Sequence, residues 1–203
     1  MNQRDKDILD GLKTFRVLNR DQLISMYFST GKQQVVTCNR VMKRLCSNQL
    51  VEVDRSQRPY TYFPFPRTIK IDSTKIPHFK AIADFYIAIC KYSKPTHFEV
   101  EYKVGQKGSI EPDIYMIWND APFFVEIQRE QYPINRMEAK FKRYKDYYRS
   151  DLWKEEMKHF PFIWMLTERS YRMKFDPLKV YQSKTVDEFV ELYCKKQENN
   201  STV

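Results

Sequence analysis

The chain has 203 residues, which is long enough for one ordinary domain or two small ones. A hydrophobic content of 42% with 15% aromatic residues excludes an intrinsically disordered protein. No apolar run approaches the roughly 20 residues that span a bilayer, and the polar start Met-Asn-Gln-Arg-Asp-Lys-Asp is unlike a secretory signal. Four scattered cysteines without metal-ligand spacing are typical of free thiols in a reducing compartment. We therefore predict a cytoplasmic protein with no membrane partner.

The net charge of +9 is unevenly distributed along the chain. Residues 31–75 carry nine Lys and Arg against three Asp and Glu, a local net charge of +6. A local basic region of this kind is an electrostatic footprint for phosphate groups. The alternative is a solvated surface that keeps the protein soluble, and charge alone does not separate the two.

The first third of the chain has the pattern of three helices. Apolar spacing predicts a helix from Arg4 to Phe15, and a second helix opens at Asn19, whose side chain is positioned to form a capping box with Gln22. A short turn at residues 29–31 then leads into a third helix, from Lys32 to Ser47. Two helices joined by a tight glycine-containing turn are typical of a helix-turn-helix.

The third helix separates into an apolar face and a polar one. We expect its apolar face to pack inward, with Val35, Cys38, Met42 and Leu45. The polar face has amides and a hydroxyl near the helix start and cations farther along, as a DNA recognition helix needs. Its candidate DNA-binding residues are Gln33, Gln34, Thr37, Arg40, Lys43 and Arg44.

A hairpin follows the third helix. Strands are predicted from Leu50 to Asp54 and from Tyr60 to Phe63, and Arg58 lies in the turn between them as a further candidate DNA contact. Three helices and such a hairpin predict a winged helix over residues 1–66 that binds double-stranded DNA. The alternative is a winged helix used for protein contact or dimerisation.

A polar linker is predicted at residues 67–77, after Pro64-Phe65-Pro66, and an α/β domain at residues 78–196, followed by a disordered tail at residues 197–203. The element order α-β-β-β-α-β predicts a three-layer α/β sandwich, so the chain as a whole is of the α/β (α+β) class. The predicted helices run from His78 to Tyr92, Asn135 to Arg149 and Val186 to Cys194, and the predicted strands cover residues 97–104, 110–118, 123–128, 160–166 and 180–181.

Acidic and amide side chains occur on two neighbouring strands of this domain. Strand periodicity puts Glu126 and Gln128 on one face, and Asp113 lies on the other strand of the same hairpin. Two converging carboxylates can hold Mg²⁺ or Mn²⁺, which would activate a water and neutralise charge on a phosphate. The alternative is an exposed sheet edge, where such residues are ordinary.

The motifs Pro112-Asp113 and Glu126-Ile127-Gln128 resemble those of the PD-(D/E)xK nuclease-like superfamily, including its competence-nuclease branch. The overall layout is closer to the replication-relaxation family of plasmids and mobile elements, in which a winged helix precedes a helix that opens with His, a Pro-Asp strand, a Glu strand and a Lys/Tyr helix. The corresponding positions are His78, Asp113, Glu126 and residues 140–148. The resemblance implies a restriction-endonuclease-like domain with a metal-dependent site.

Gln128 stands where the superfamily has lysine, and Lys140 on the next helix is the candidate that supplies the missing charge. The candidate catalytic residues are thus Asp113, Glu126, Gln128 and Lys140, with Asp113 and Glu126 as metal ligands. Weaker accessory candidates are Glu101, Asp84 and His78, each of which has an ordinary structural or surface role as its alternative. Arg136 and Arg143 are candidate backbone contacts on the basic helix, although the interleaved acids favour a solvated face.

The sequence therefore predicts a DNA-binding protein of a plasmid, phage or mobile element that recognises duplex DNA and nicks or cleaves it with Mg²⁺ or Mn²⁺. The partners expected are double-stranded DNA and replication or mobilisation proteins, and a homodimer is possible. The alternative is a non-enzymatic regulator of transcription or replication whose degenerate nuclease-like domain serves dimerisation or partner binding.

Overall fold

The computed structural model describes residues 1–104 and 109–192. Its helices and two separate sheets confirm the α+β class. Clustering of the chain gives two compact units, Met1–Ile87 and Ala88–Val203, and the division between them falls within a helix, α4. Each unit is described by itself below.

The first unit consists of helices around a small antiparallel sheet. Strand β3 is central and pairs with β1 on one side and β2 on the other. The two-residue strand β1 was missed in the sequence because it is too short to show an alternating pattern. In chain order the elements are α1 (Gln3–Phe15), β1 (Leu18–Asn19), α2 (Arg20–Tyr27), α3 (Gln34–Ser47), β2 (Val51–Asp54), β3 (Thr61–Pro64) and α4 (Ile76–Ile89).

Side-chain caps fix where the first helices begin. Asn19 accepts a hydrogen bond from the Gln22 backbone N–H at 2.8 Å, and the Gln22 side chain accepts one from the Asn19 backbone at 2.9 Å. This is the predicted capping box, and it is confirmed. The Gln22 amide also donates to the Lys80 carbonyl and, at 2.7 Å, to the Asp84 carboxylate, so the α2 cap is tied to α4.

Most of the predicted inward face of α3 is correct. Cys38, Met42 and Leu45 are buried, but Val35 is 45% exposed and that prediction is wrong. Val35 lies in the first turn of α3, before the apolar stripe reaches the core. Val41, one turn after Cys38, is buried instead.

The second unit is built on a five-stranded sheet of order β4-β5-β6-β7-β8. The first three strands are antiparallel, whereas β6, β7 and β8 run parallel. The predicted hairpin between β5 and β6 is confirmed, with Asn119 and Asp120 both at positive φ, as a type I′ turn requires. The elements are β4 (His97–Val100), β5 (Ile114–Trp118), β6 (Ala121–Ile127), α5 (Ile134–Ser150), a 3-10 turn (Leu152–Glu155), β7 (Phe162–Leu166) and β8 (Val180–Ser183).

Two predicted strands are shorter than expected. Strand β4 ends at Val100 because Glu101 adopts a φ of 52°, and its N–H donates to the Asp113 carbonyl at 2.8 Å. Strand β5 begins at Ile114 rather than at residue 110. Asp113 therefore lies in the connection immediately before its strand.

Both faces of this sheet are covered by helical residues. On one face, Phe124 and Met165 pack in one cluster with Met137 and Phe141 of α5. On the other face, Trp164 stacks on Phe189, from the helical residues 186–192, with ring centroids 3.7 Å apart. The end of the predicted last helix and the predicted tail at residues 197–203 lie outside the described residues.

Among the described residues, no helix is long and apolar enough to cross a membrane. Cys38 and Cys46 are free thiols, as predicted, while Cys194 lies outside the described residues.

Candidate functional site

The predicted carboxylates lie on the same face of the second unit's sheet. Ile114 pairs with Val125, so the antiparallel register puts Asp113 opposite Glu126. The Asp113 Oδ2 accepts a hydrogen bond of 2.7 Å from the Ile127 backbone N–H, which anchors Asp113 beside β6. Glu126 is only 1% exposed, although Asp113 is half-buried. The exposed-edge alternative is therefore wrong for Glu126.

Two side chains of α5 reach Glu126 from above the sheet. The Lys140 ammonium donates to Oε2 of Glu126, and the Tyr144 hydroxyl donates to Oε1 at 2.5 Å. Lys140 and Tyr144 are four residues apart and so lie on the same face of the helix. Helix α5 thus binds both carboxylate oxygens of Glu126. We call the set Asp113, Glu126, Lys140 and Tyr144 the buried acid cluster.

Burial dominates the electrostatics of this cluster. It raises the pKa of Glu126 to about 7, a rise that Asp113 reinforces and that Lys140 and Tyr144 oppose. Burial lowers the pKa of Lys140, but the charges of Glu126 and Asp113 outweigh it, so the net shift is upward. Burial and the neighbouring Glu126 carboxylate raise the pKa of Tyr144 well above its usual value. Lys140 is consequently a stable cation beside an acid that titrates near neutral pH.

Gln128 lies two residues after Glu126, at the end of β6, and is 9% exposed. Its amide nitrogen is 3.2 Å from the Met137 sulfur, while its Oε1 has no hydrogen-bond partner within the described part of the chain. An unpaired buried oxygen costs free energy, and a ligand that bonds to it would recover that cost. The Gln128 Oε1 can therefore coordinate a cation or accept a hydrogen bond from a ligand.

The described residues contain no group of three or more His, Cys, Asp or Glu side chains that could hold a metal ion. Mg²⁺ needs only one or two carboxylates, because it retains several waters. The oxygens of Asp113, Glu126 and Gln128 fit this chemistry, but both Glu126 oxygens already accept hydrogen bonds. An ion at Glu126 would share these oxygens with Lys140 and Tyr144, since each carboxylate oxygen has a second lone pair.

The accessory candidates have structural contacts of their own. Glu101 donates its backbone N–H to Asp113 as described above, and Asp84 accepts from Gln22. His78 is half-buried in α4 and lies beside the Phe79 ring. His78 and Asp84 belong to the first unit, whereas Glu101 belongs to the unit that holds Glu126.

The candidate cations of α5 are exposed. The Arg136 guanidinium lies 4.1 Å from the centre of the Tyr132 ring, as a cation–π contact. Arg143 follows Arg136 by two helical turns on the side of α5 that carries Lys140, and it is also exposed. The two side chains therefore present positive charge near the buried acid cluster.

The candidate DNA-binding residues of the first unit are mostly available to solvent. Gln33, Arg40 and Lys43 are exposed, and Thr37 is half-buried. Gln34 is tied to the preceding turn by a 2.8 Å hydrogen bond to the Ser29 carbonyl. Arg58 is exposed in the β2–β3 turn, with its guanidinium over the Tyr60 ring.

Arg44 has a structural partner. Its guanidinium donates two hydrogen bonds, of 2.7 and 2.9 Å, to the carboxylate of Asp5, which is 1% exposed. This bidentate pair connects α3 with α1. Removing Arg44 would leave a carboxylate buried without its partner, so the role of Arg44 in binding cannot be tested separately from its role in folding.

A cavity of about 390 Å³ opens between α3 and the β2–β3 hairpin. Four cations line it, of which Arg20 is ion-paired with Asp21 at 2.9 Å, and among the described residues no Asp or Glu lines the cavity itself. We call it the basic cleft. It is lined by Arg20, Asn39, Met42, Lys43, Cys46, Val53, Arg55, Arg58, Tyr60 and Tyr62.

Sequence reasoning missed Tyr144, Arg20 and Arg55 as site residues. Tyr144 was assigned to the core, although its four-residue spacing from Lys140 was a usable signal for a shared contact. Arg55 was counted only as part of the local charge, because its position beside the cleft depends on how the hairpin packs on α3. No local signal in the sequence identifies Arg20.

The fold and its clusters define an α+β chain with a basic cleft in one unit and a buried acid cluster in the other. Residues 66–163, just under half of the chain, are matched by the model of a family described as replication-relaxation. The resemblance to the replication-relaxation family is thus confirmed over these residues, and it suggests a role in replication or mobilisation of mobile elements. Comparison with curated proteins and with solved structures found no significant match.

Proposed function

We propose that the protein binds double-stranded DNA through its first unit, which acts as a winged helix in the replication or mobilisation of a mobile element. The observation that carries this proposal is the basic cleft, where Lys43 of α3 and Arg55 and Arg58 of the β2–β3 hairpin line one cavity, with no acid among the described residues that line it. A phosphate backbone is the ligand whose charge complements such a surface.

The neighbouring face of α3 supports the same function. Gln33, Thr37 and Arg40 extend along the exposed side of this helix, ahead of the cleft cation Lys43. Amide and hydroxyl groups can read base edges in the major groove, whereas cations fix the position of the protein on the backbone. The hairpin cations Arg55 and Arg58 would contact the adjoining backbone.

The test is duplex affinity after removal of the hairpin cations. Arg55→Gln with Arg58→Gln removes two backbone contacts, so we expect duplex affinity to fall by about tenfold or more at 150 mM salt, measured by fluorescence anisotropy. The control is Arg149→Gln with Lys154→Gln, which removes the same formal charge from exposed residues of the second unit. Equal affinity in the wild type and the hairpin variant would contradict the proposal.

A second function, metal-dependent cleavage of the bound DNA, is favoured by the shared sheet face of Asp113 and Glu126. Asp113, Glu126 and the unpaired Gln128 oxygen would hold Mg²⁺ or Mn²⁺. Such an ion, when bound, supplies an activated water and neutralises charge on the phosphate. Lys140, whose ammonium lies on α5 beside Glu126, would supply the positive charge that the lysine absent at position 128 would otherwise give.

Cleavage is tested with supercoiled plasmid in the presence and absence of Mg²⁺ or Mn²⁺. We expect metal-dependent nicking in the wild type, and a loss of at least about 100-fold in Asp113→Asn and in Glu126→Gln, because each variant removes a charged metal ligand. Duplex affinity should remain within twofold in both. A matched control is Glu138→Gln, an exposed acid on α5.

Wild type that binds duplex but shows no metal-dependent nicking would overturn the second function alone. The protein would then be a non-enzymatic regulator, and the buried acid cluster would serve only to attach α5 to the sheet. Nicking that persists in both carboxylate variants would equally remove Asp113 and Glu126 from the reaction.

A further inference from the structure

The basic cleft is more than a charged surface, because its floor and its rim differ in chemistry. The floor contains Met42, Cys46, Val53 and Tyr62, which are buried or half-buried and largely apolar. The rim carries Lys43, Arg55 and Arg58, all exposed, together with the half-buried Arg20. A duplex backbone would use the rim and leave the floor unfilled.

The rim arginines also affect the pKa values of two floor residues, Tyr62 and Cys46. Burial raises the pKa of Tyr62 to about 12, and Arg20 and Arg55 act against this rise. Burial likewise raises the pKa of the Cys46 thiol, again opposed by Arg55. Arg55 lines the same cleft as these floor residues, so it is placed to pair with an anion attached to a group that occupies the floor.

Hydrogen-bonding groups and a flat aromatic wall complete the cleft. Asn39 offers an amide, which can both donate and accept, and the Tyr60 ring also lines the cleft, with the Arg58 guanidinium 5.8 Å from its centre. Unstacked nucleic-acid bases bind where they can rest on aromatic or apolar side chains and bond through their edges. A cavity of about 390 Å³ is within the size range of small-ligand sites.

We propose that the basic cleft binds a single unstacked nucleotide, with its base on the floor and its phosphate between the rim cations. The nucleotide could be a free nucleoside monophosphate or an unpaired residue at the end of a DNA strand, since both present the same base and phosphate. This site does not depend on duplex binding, although it shares Arg55 and Arg58 with the surface proposed for the duplex.

Alkylation of Cys46 reports directly on occupancy of the floor. Cys46 is a half-buried free thiol lining the cleft, whereas the half-buried Cys90 lies in the second unit and serves as an internal reference. With the full chain and iodoacetamide, we expect dTMP to slow alkylation of Cys46 at least about threefold and to leave Cys90 unchanged. Thymidine alone and inorganic phosphate alone should protect weakly, because each fills only half of the site.

The two sources of the nucleotide are separated by DNA substrates. A hairpin duplex with a one-nucleotide 3′ overhang is compared with the same hairpin with a blunt end. Protection of Cys46 by the overhang beyond that of the blunt end identifies a strand end as the source, and protection by dTMP identifies the free nucleotide. If neither protects Cys46, the proposal is overturned.

A variant that fills the floor of the basic cleft tests the nucleotide site by calorimetry. Val53→Trp fills the floor while retaining all four cations, so we expect dTMP binding to fall at least about tenfold, with an unchanged melting temperature as evidence of folding. Val36→Trp, at a 50% exposed position of α3 outside the cleft, is the matched control. Equal dTMP binding in the wild type and a folded Val53→Trp variant would overturn the proposal.

Failure of this proposal is distinguishable from failure of duplex binding. If the protein binds the blunt hairpin but no nucleotide protects Cys46 from alkylation, duplex binding stands and the nucleotide site is overturned. If the protein binds dTMP but not the blunt hairpin, the nucleotide site stands and duplex binding is overturned.

Discussion

Glu126 shows how one side chain can be placed by simple periodicity and yet have an environment that periodicity does not describe. Strand alternation correctly put Glu126 and Gln128 on one face, and the hairpin put Asp113 opposite them. The complete burial of Glu126 and its bond to Tyr144 depend on how α5 crosses the sheet, which is a tertiary property. Four-residue spacing shows that Lys140 and Tyr144 share a face of α5, but only the crossing of α5 over the sheet shows that this face meets Glu126.

The raised pKa of Glu126 predicts a measurable pH dependence. In the unfolded chain this acid ionises near its ordinary pKa of 4.5, whereas in the folded protein it keeps its proton until about pH 7. Between those values the folded state binds more protons, so its contribution to the free energy of unfolding falls as pH rises, by at most about 3 kcal/mol. The loss should be complete above the folded pKa.

The measurement is the free energy of unfolding by urea at pH 5 and pH 8, in the wild type and in Glu126→Gln. We expect the wild type to lose stability relative to the variant as the pH rises, because a glutamine does not titrate. Glu138→Gln is the control, since that exposed acid should leave the wild-type pH dependence intact. A wild-type advantage that grows with pH would contradict the upward shift.

At the scale of elements, local signals fixed helix starts better than strand lengths. The Asn19–Gln22 capping box is encoded by four consecutive residues and was predicted correctly. Strand β4 was predicted to continue past Val100 because Tyr102 and Val104 maintain the alternation, but Glu101 adopts positive φ and interrupts the strand. Alternation describes the polarity of the side chains and carries no information about the backbone dihedral at Glu101.

Contacts between elements were the least predictable. The pairing of Arg44 with Asp5 joins residues 39 positions apart, and helical spacing had assigned Arg44 only to the exposed recognition face of α3. Arg44 is both exposed and paired, because its side chain is 49% exposed while its partner Asp5 is buried. The parallel pairing of β7 with β8 was likewise absent from the sequence reading, since such pairs are separated by long crossovers.

For the whole molecule, the distribution of charge is more informative than its sum. The first unit carries 15 Lys and Arg against 8 Asp and Glu, a net charge of +7, whereas the second carries 20 against 18, a net charge of +2. The smaller unit therefore holds most of the excess of +9. Nonspecific attraction by the whole protein and docking by the basic cleft predict different responses to salt.

The discriminating quantity is the slope of log affinity for duplex DNA against log salt concentration. Each phosphate neutralised contributes about −0.9, so docking through the four cleft cations and Arg40 predicts a slope of about −4.5. Arg55→Gln with Arg58→Gln should reduce its magnitude by about 2, while Arg149→Gln with Lys154→Gln should leave it unchanged, although both variants lower the net charge equally. If the two double variants flatten the slope to the same extent, the duplex responds to total charge and the cleft is not its binding site.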